Sequence, residues 1–272
     1  VITGGNPNYE CCENHGAVTA LDAHTGEKLW EYHTMPEAQY TGQGSSTGVK
    51  QRGPSGAPIW TTPTIDAERG QIYVTTGENT SHPTTNTSDA IIALDIETGE
   101  ANWVFQALEN DMWNFGCSAR GPNCIILEDT NSVDFDFGGP AILVETDDED
   151  LLIAGQKSGD LWALDPDTGA LVWNQRVGEG TALGGNHWGI ATNTMLAFMT
   201  INDPGGMNEN TRPGIYSYFV STGEPSWFYE VQPECNDQRS ERLRRCESLH
   251  GFSATPLSID CLLYTSPSPR DS

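Results

Sequence analysis

Ala163-Leu-Asp-Pro-Asp-Thr-Gly-Ala-Leu-Val-Trp173 is the clearest copy of a motif that recurs along the chain. Two further copies keep its acidic residue, its Thr-Gly pair and its tryptophan, and a fourth has Phe219 in place of the aspartate. These copies are Ala20–Trp30, Ala93–Trp103 and Tyr218–Trp227. In all four, the tryptophan follows the aspartate position by eight residues, and successive copies start more than 40 residues apart. A repeat of this period is typical of a propeller or a solenoid.

Each copy of the motif predicts a β-hairpin. Apolar and polar residues alternate before the turn, the aspartate can accept backbone N–H groups, and the glycine can adopt a positive φ. A second pair of strand-like segments precedes the hairpin, as in Thr62–Asp66 with Gln71–Thr75 and in Ala141–Val144 with Leu151–Ala154. The same opening recurs at Ser253–Asp260. Four strands per unit make one blade.

The tryptophan that ends each unit is predicted to fill the gap between neighbouring sheets. A small twisted sheet buries a face only by stacking on the next one. The four tryptophans are Trp30, Trp103, Trp173 and Trp227. A role in ligand binding is the alternative, but a binding site does not need the same residue in every copy.

Residues 1–260 are therefore predicted to form one all-β domain, a β-propeller of four-stranded blades. Three complete and two partial units are expected, about four blades in all, so the propeller would be incomplete at both ends. Residues 261–272 resemble a translated sequencing adaptor and are expected to be a non-native tail, with a disordered Ser/Pro segment as the alternative. No stretch approaches about 18 consecutive apolar residues, so no membrane span is expected.

The charge of the chain argues against one class of partner. There are 38 acidic and 13 basic residues, a formal net charge of −25. Nucleic-acid binding is not expected, because neutralising phosphates requires clustered lysine and arginine. The acidic run Glu145–Asp150 lies between two predicted strands and is interpreted as a polar loop rather than a metal site.

The cysteines other than Cys261 fall in neighbouring pairs. They are Cys11 with Cys12, Cys117 with Cys124, and Cys235 with Cys246. An even number of cysteines separated by short loops favours disulfides, and hence an oxidising compartment. Zinc binding is the alternative, but the sequence has neither a Cys-x-x-Cys spacing nor a paired-histidine motif. It has no Cys-x-x-Cys-His haem attachment motif either.

Five motifs between the hairpins carry a more specific signal. They are Ser55–Trp60, Thr76–Asn79, Asp111–Asn114, Gly155–Gly159 and Gly184–Gly189. Together with the hairpin repeat, this ordered series resembles the quinoprotein alcohol dehydrogenases that use pyrroloquinoline quinone (PQQ), and within them the branch that acts on polyvinyl alcohol. The resemblance implies an eight-bladed propeller with PQQ and Ca²⁺ on its axis.

The resemblance implies cofactor contacts at four positions. Trp60 matches the tryptophan on which the quinone stacks, and core packing is the alternative. Lys157 matches the basic residue that bonds a quinone carbonyl, and an ordinary turn lysine is the alternative. His187 and Trp188 match a cofactor-proximal pair.

A vicinal disulfide between Cys11 and Cys12 near the cofactor is also expected from the resemblance, with two ordinary disulfides as the alternative.

The resemblance further implies a metal site and a base. Glu78 and Asn79 match the position of a calcium ligand, and their oxygens suit that ion. A glycosylation sequon that starts at Asn79 is the alternative. Asn114 occupies the place of the family's catalytic aspartate, so Asp111 is the substitute candidate for the general base.

The function implied by the resemblance is oxidation of a polymeric or other secondary alcohol, with electrons passed to a cytochrome c in the periplasm or outside the cell. The alternative is a non-catalytic propeller that serves as a scaffold for protein assembly or envelope binding. A calcium- or sugar-binding surface module is a third interpretation. A scaffold has no reason to keep the cofactor and metal positions together, which favours the enzyme.

Overall fold

The computed structural model describes residues 2–4, 13–118, 121, 130–146, 149–202, 212–232, 235, 251–259 and 262–265. Its contacts divide the chain into two compact units, Val1–Asp136 and Phe137–Ser272. Both units are built from antiparallel sheets, so the predicted all-β architecture is confirmed. Among the described residues, no helix is long and apolar enough to cross a membrane.

The first unit contains two blades and two smaller strand pairs. Blade 1 consists of β1 (Ile2–Gly4), β2 (Ala17–Leu21) and β3 (Lys28–His33). Blade 2 consists of β7 (Thr64–Asp66), β8 (Gln71–Thr75), β10 (Ala90–Asp95) and β11 (Ala101–Gln106). The two pairs are β4 (Gln39–Gly44) with β5 (Lys50–Gly53), and β6 (Ser55–Gly56) with β9 (Asn79–Ser81). A four-residue helix, α1 (Phe115–Ser118), follows blade 2.

The second unit contains two four-stranded blades and the start of another. Blade 3 consists of β12 (Ile142–Val144), β13 (Leu151–Gly155), β14 (Asp160–Leu164) and β15 (Leu171–Arg176). Blade 4 consists of β16 (Ile190–Thr192), β17 (Leu196–Ile201), β18 (Gly214–Phe219) and β19 (Pro225–Glu230). A two-stranded pair, β20 (Leu257–Ile259) with β21 (Leu262–Tyr264), follows.

The pair β20–β21 differs from the sequence-based expectation. The strand pattern was predicted to end at Asp260, yet Leu262–Tyr264 pairs with Leu257–Ile259 in antiparallel register. Tyrosine favours extended backbone, and the leucines supply apolar surface that the sequence analysis did not count as a strand. Leu257, Ile259, Leu262 and Tyr264 are about half exposed, whereas Leu263 is partly buried and packs against the core of blade 4. The non-native origin of residues 261–272 stays a prediction.

The repeated turns form as their sequence predicts. In the turn after β10, Asp95 Oδ1 accepts the backbone N–H groups of Glu97 and Thr98 at 2.9 and 2.8 Å. The glycine that follows, Gly99, has a φ of +75°. The equivalent turns after β2 and β14 use the same aspartate contacts.

The tryptophan of one blade packs on the Thr-Gly turn of the next. Trp30 Nε1 in blade 1 donates to the carbonyl of Ile96 in blade 2 at 3.1 Å. Trp173 in blade 3 makes the same bond to Val220 in blade 4 at 2.8 Å. The predicted role in joining neighbouring sheets is therefore confirmed for these two indoles. Trp227 is 41% exposed.

Disulfides form at two of the predicted cysteines. Cys117 and Cys235 are both disulfide-bonded. Their predicted partners, Cys124 and Cys246, lie outside the described residues, as do Cys11 and Cys12.

The glycine of the turn can be tested at two equivalent positions. Gly99→Ala would place a methyl group 2.4 Å from the Trp30 ring, whereas Gly26→Ala, also at positive φ, meets nothing within 4 Å. We expect Gly26→Ala to lower the free energy of unfolding by about 1–2 kcal/mol through its left-handed backbone. Gly99→Ala should cost about 1–3 kcal/mol more, because it also displaces the indole. Urea unfolding measures both losses, and equal losses would contradict the docking role.

Candidate functional site

Three buried carboxylates meet in the first unit. Glu78, Asp134 and Asp136 each place one carboxylate oxygen within 4.8 Å of the others. Glu78 lies in the loop that follows β8, and the two aspartates lie between α1 and the end of the unit. We call these three residues the acidic cluster.

A close backbone approach brings Glu78 to Asp136. The N–H of Glu78 donates to Asp136 Oδ1 at 3.0 Å. Gly77 makes this approach possible, because a Cβ there would lie 2.6 Å from the same oxygen. On the other side, the carbonyl of Glu78 accepts the N–H of Ala57 at 2.7 Å, which fixes the loop against the segment that leads to Trp60.

Asp111 holds the segment that carries Asp134. Its two carboxylate oxygens accept the backbone N–H groups of Val133 at 3.1 Å and of Phe135 at 3.2 Å. Asp134, between them, has a φ of +60°, a conformation that non-glycine residues seldom adopt. Strained backbone of this kind often occurs at functional sites. The side chain of Asp111 is fully buried, so its contacts serve to position the neighbouring aspartate.

The electrostatics of the acidic cluster favour a cation or a proton. Burial, and then the charges of Asp136, Asp134 and Asp89, raise the pKa of Glu78 well above its ordinary value. Burial also raises the pKa of Asp111, although its backbone hydrogen bonds oppose the shift. Glu78 Oε1 is buried and has no hydrogen-bond partner among the described residues. Buried carboxylates this close cannot all be charged unless a positive charge joins them.

Asn79 lies beside the acidic cluster, but its side chain is used elsewhere. Its amide nitrogen donates to the Ser55 carbonyl at 3.4 Å and to Thr85 Oγ1 at 3.3 Å. Its amide oxygen accepts the N–H of Thr85 at 2.9 Å. The amide thus holds the loop between β9 and β10. Glu78 is one of the three carboxylates of the acidic cluster, and the role of Asn79 as a metal ligand stays a prediction.

Asn114, which takes the place of the family's aspartate, organises the helix that follows it. Its amide nitrogen donates to the Thr80 carbonyl at 3.0 Å, and its amide oxygen accepts the N–H of Cys117 at 2.8 Å. The second contact lies at the start of α1. The side chain therefore joins the β9 segment to α1.

Trp60 is half-buried in the first unit, directly after the fully buried Ile59. Pro58, two residues earlier, accepts the N–H of Gly77 at 3.1 Å. The tryptophan segment therefore runs beside the loop that carries Glu78. Its indole is partly buried, as is that of Trp30, whereas Trp173 is buried.

Three predicted cofactor residues lie in the second unit. Lys157 is buried at the turn between β13 and β14. A Cβ on Gly185 would lie 2.0 Å from its carbonyl oxygen, so the glycine permits close packing there. The rings of His187 and Trp188 lie 4.6 Å apart, and Trp188 is 47% exposed. Exposed aromatic surface of this kind can contact a flat ligand.

Two orphaned polar atoms lie on the segments that carry these residues. Gln156 Nε2, next to Lys157, and Asn186 Oδ1, next to His187, are buried without a hydrogen-bond partner among the described residues. The two segments are joined by a bond from the Asn186 N–H to the Gln156 carbonyl at 3.1 Å. Buried polar atoms that lack partners are often completed by a ligand or a water molecule.

Sequence reasoning missed Asp134 and Asp136. They follow a long insertion after Asn114, and their proximity to Glu78 depends on the contacts of Asp111 rather than on spacing. The sequence signal that could have indicated these two residues is the alternation Asp134-Phe135-Asp136 shortly before a predicted strand.

Comparison with known proteins agrees with this architecture. The family model described as "PQQ: Glucose/ethanol/alcohol dehydrogenase, beta-propeller domain" matches residues 1–135. The chain is 33% identical over 231 residues to the polyvinylalcohol dehydrogenase of Sphingopyxis sp. (strain 113P3), covering 84% of this chain and 35% of that protein. It is 35% identical over 226 residues to the polyvinylalcohol dehydrogenase of Pseudomonas sp., covering 82% and 35%. The chain thus spans about a third of the length of these relatives.

Among solved structures, the quinohemoprotein alcohol dehydrogenase from Comamonas testosteroni is similar, with a TM-score of 0.52 and 17% identity. The match covers 84% of this chain and 44% of that one. At this identity the likeness concerns the fold, and it defines the blades as those of a partial quinoprotein-type β-propeller. The sequence matches go further. The chain belongs to the PQQ-dependent alcohol dehydrogenase family.

The charge of Glu78 should make the stability of the metal-free chain depend on pH. Folding raises the pKa of Glu78 above its ordinary value of 4.5. Between these two pKa values, the folded chain therefore binds more protons at Glu78 than the unfolded chain does. The free energy of unfolding is then highest at a pH below the pKa of Glu78 in the unfolded chain. It falls as the pH rises through the raised pKa of Glu78 in the folded chain. With a chelator present, Glu78→Gln should raise the Tm relative to the parent at pH 8 and leave it unchanged at pH 4.

The glutamine in this variant stays neutral, and its amide can donate to Asp136 as a protonated Glu78 does. Glu97→Gln, at an exposed turn position, is the matched control and should follow the parent at both pH values. Adding Ca²⁺ at pH 8 should raise the Tm of the parent and of Glu97→Gln, but much less that of Glu78→Gln. Identical pH profiles for the parent and Glu78→Gln would contradict the assignment.

Proposed function

We propose that the protein acts in a PQQ-dependent dehydrogenase that oxidises secondary alcohol groups of a polymer such as polyvinyl alcohol. Electrons would pass to a cytochrome c in the periplasm or outside the cell. The acidic cluster is the observation that carries the proposal, because a buried group of three carboxylates suits a hard cation beside a reacting alcohol. Family membership and the two polyvinylalcohol dehydrogenase relatives support the reaction class and the substrate.

Ca²⁺ would be held by Glu78, Asp134 and Asp136. The donor set fits, since calcium prefers carboxylate oxygens and the orphaned Glu78 Oε1 lies ready to bind. A bound cation would also offset the burial and the neighbouring carboxylate charges that raise the pKa of Glu78, so that all three carboxylates could be charged. Asn79 would act indirectly, by holding the loop next to Glu78.

Cofactor contacts are proposed at Trp60 in the first unit and at Lys157, His187 and Trp188 in the second. The partly open indoles of Trp60 and Trp188 supply flat apolar surface for stacking. The ammonium group of Lys157 supplies a fixed positive charge. When bound, PQQ supplies the two-electron acceptor and Ca²⁺ the Lewis acid that the reaction requires.

Asp134 is proposed as the group that takes the hydroxyl proton. Asp111, the candidate from the sequence, already uses both carboxylate oxygens to accept backbone N–H groups. Asp134 lies within the acidic cluster and retains slight exposure, whereas Asp111 has none. The two aspartates therefore have separate roles, in which Asp111 orients the segment and Asp134 holds the proton.

The test uses the complete gene product that contains this sequence, prepared with Ca²⁺ and PQQ. Dye-linked and cytochrome c-linked oxidation of polyvinyl alcohol and of 2-butanol report the activity. Asp134→Asn should lower kcat about 10²-fold or more while the quinone absorbance is retained, as expected for loss of a general base. Asp111→Asn should lower the Tm and reduce kcat less.

The reverse order of kcat losses would make Asp111 the base. If the parent protein retains no quinone absorbance and oxidises neither alcohol, the protein is a non-catalytic propeller and the proposed function is wrong.

Trp60→Ala should weaken PQQ binding about tenfold with little change in Tm, because it removes a stacking surface rather than a core side chain. Trp60→Phe should restore most of the affinity. Titration of the apoprotein with PQQ, followed by fluorescence quenching, measures both variants. Unchanged affinity in Trp60→Ala would exclude the stacking role.

A further inference from the structure

A groove of about 620 Å³ opens on the first unit. One wall comes from the β4–β5 hairpin and the other from the segments around β9, and residues along it include Tyr40, Pro54, His82, Thr84, Asn110 and Thr130. Its volume lies in the range of sites that enclose a small ligand or several units of a polymer. Neither the metal site nor the proposed cofactor contacts use any of these residues.

The lining of the groove suits a neutral ligand with both apolar and hydroxyl groups. Proline and tyrosine rings provide flat apolar surface, and amide and hydroxyl side chains lie between them. Glu37 is the one carboxylate among the described lining residues, and none of them is a lysine or an arginine. With a single carboxylate and no lysine or arginine in its lining, the groove offers few charges to a polyanion or a polycation, whereas a chain that alternates CH₂ with CHOH would find partners for both groups.

The polar side chains of the groove are tied together in pairs. Thr84 Oγ1 donates to Asn110 Oδ1 at 3.1 Å, and Thr130 Oγ1 lies 3.3 Å from His82 Nε2. These contacts join segments that are far apart in sequence and restrict the rotamers of the four side chains. Groups held in this way lose less entropy when they bind hydroxyls.

The wall of the groove that the β4–β5 hairpin forms is held in place by contacts of Arg52. Arg52 in β5 forms an ion pair with Glu13 and donates to the carbonyl of Ala38 at 3.1 Å. Tyr40 in β4 pairs with Arg52 in the sheet register, and its ring is 50% exposed. The hairpin therefore places an aromatic ring at the groove, and the ammonium of Lys50 lies over that ring at 5.4 Å from its centre.

Three chain segments connect the groove to the acidic cluster. Glu78 lies four residues before His82, and Asp134 lies four residues after Thr130. Asn110 directly precedes Asp111, the residue that orients Asp134. Four residues of extended chain span at most about 13 Å. The backbones of Glu78 and Asp134 therefore lie within about that distance of the groove lining.

We propose that this groove binds a stretch of neutral polyhydroxylated chain and holds it while a neighbouring CHOH group reaches the acidic cluster. The inference rests on the proposed function for the reaction that follows. The binding step itself requires neither cofactor nor turnover, so it can be measured separately.

Binding is tested by isothermal titration of the 272-residue chain with short oligomers of vinyl alcohol. The parent should bind, and Tyr40→Ala should weaken binding about three- to tenfold through loss of the aromatic surface. Tyr229→Ala is the matched control, because that ring is 57% exposed but lies in the second unit. It should bind as the parent does, and circular dichroism should show that both variants are folded.

Equal affinity in all three proteins, or no binding by the parent, would overturn the proposal. Displacement of the oligomer by a proline-rich peptide that binds more tightly would instead identify a peptide groove and would also overturn it. In the complete enzyme, Tyr40→Ala should raise KM for the polymer several-fold and leave kcat/KM for 2-butanol unchanged. If oligomers bind but neither alcohol is oxidised, the proposed function fails while the groove assignment stands.

Discussion

A hydrogen bond from an indole to a turn carbonyl is the contact on which the blade architecture depends. A four-stranded sheet is too small to bury its own faces, so each blade must pack on the next. Trp30 and Trp173 achieve this by lying against a glycine of the following turn, where a larger residue would collide with the ring. The turn under Trp30 is shaped by Asp95, which accepts N–H groups of its own turn, whereas the turn under Trp173 has Phe219 in that place. One short motif thus both closes a hairpin and provides the surface for its neighbour.

The candidate site is built on loops that these blades leave free. Glu78 follows β8, and Asp134 and Asp136 precede β12, so neither segment is needed for a strand ladder. Rigid strands hold the ends of the loops, while Asp111 and Gly77 set their approach. Placing buried carboxylates so close together lowers the stability of the folded chain when no cation is bound. The arrangement is understandable if a cation binds there, and this makes the acidic cluster more informative about function than the blades themselves.

The sequence predicted the scaffold better than the site. Hairpins, turns and the docking of Trp30 follow from local spacing, since each depends on residues that are close together or that repeat. Glu78 was found through the resemblance, but Asp134 and Asp136 were not, because a long insertion separates them from any recognised motif. Their positions depend on two backbone bonds to Asp111, a long-range contact that leaves no periodic trace. The role of Asn79 stays a prediction: its amide suits calcium chemically, and its oxygen accepts the N–H of Thr85.

The central claim is that the acidic cluster binds a cation. A crystal structure of the chain grown with Tb³⁺, a hard trivalent substitute for Ca²⁺, tests it most directly through anomalous scattering. The account predicts a strong anomalous peak coordinated by Glu78, Asp134 and Asp136, and the loss of that peak in Glu78→Gln crystals. A parent structure in which the three carboxylates bond only to one another, with the anomalous signal elsewhere on the acidic surface, would contradict it.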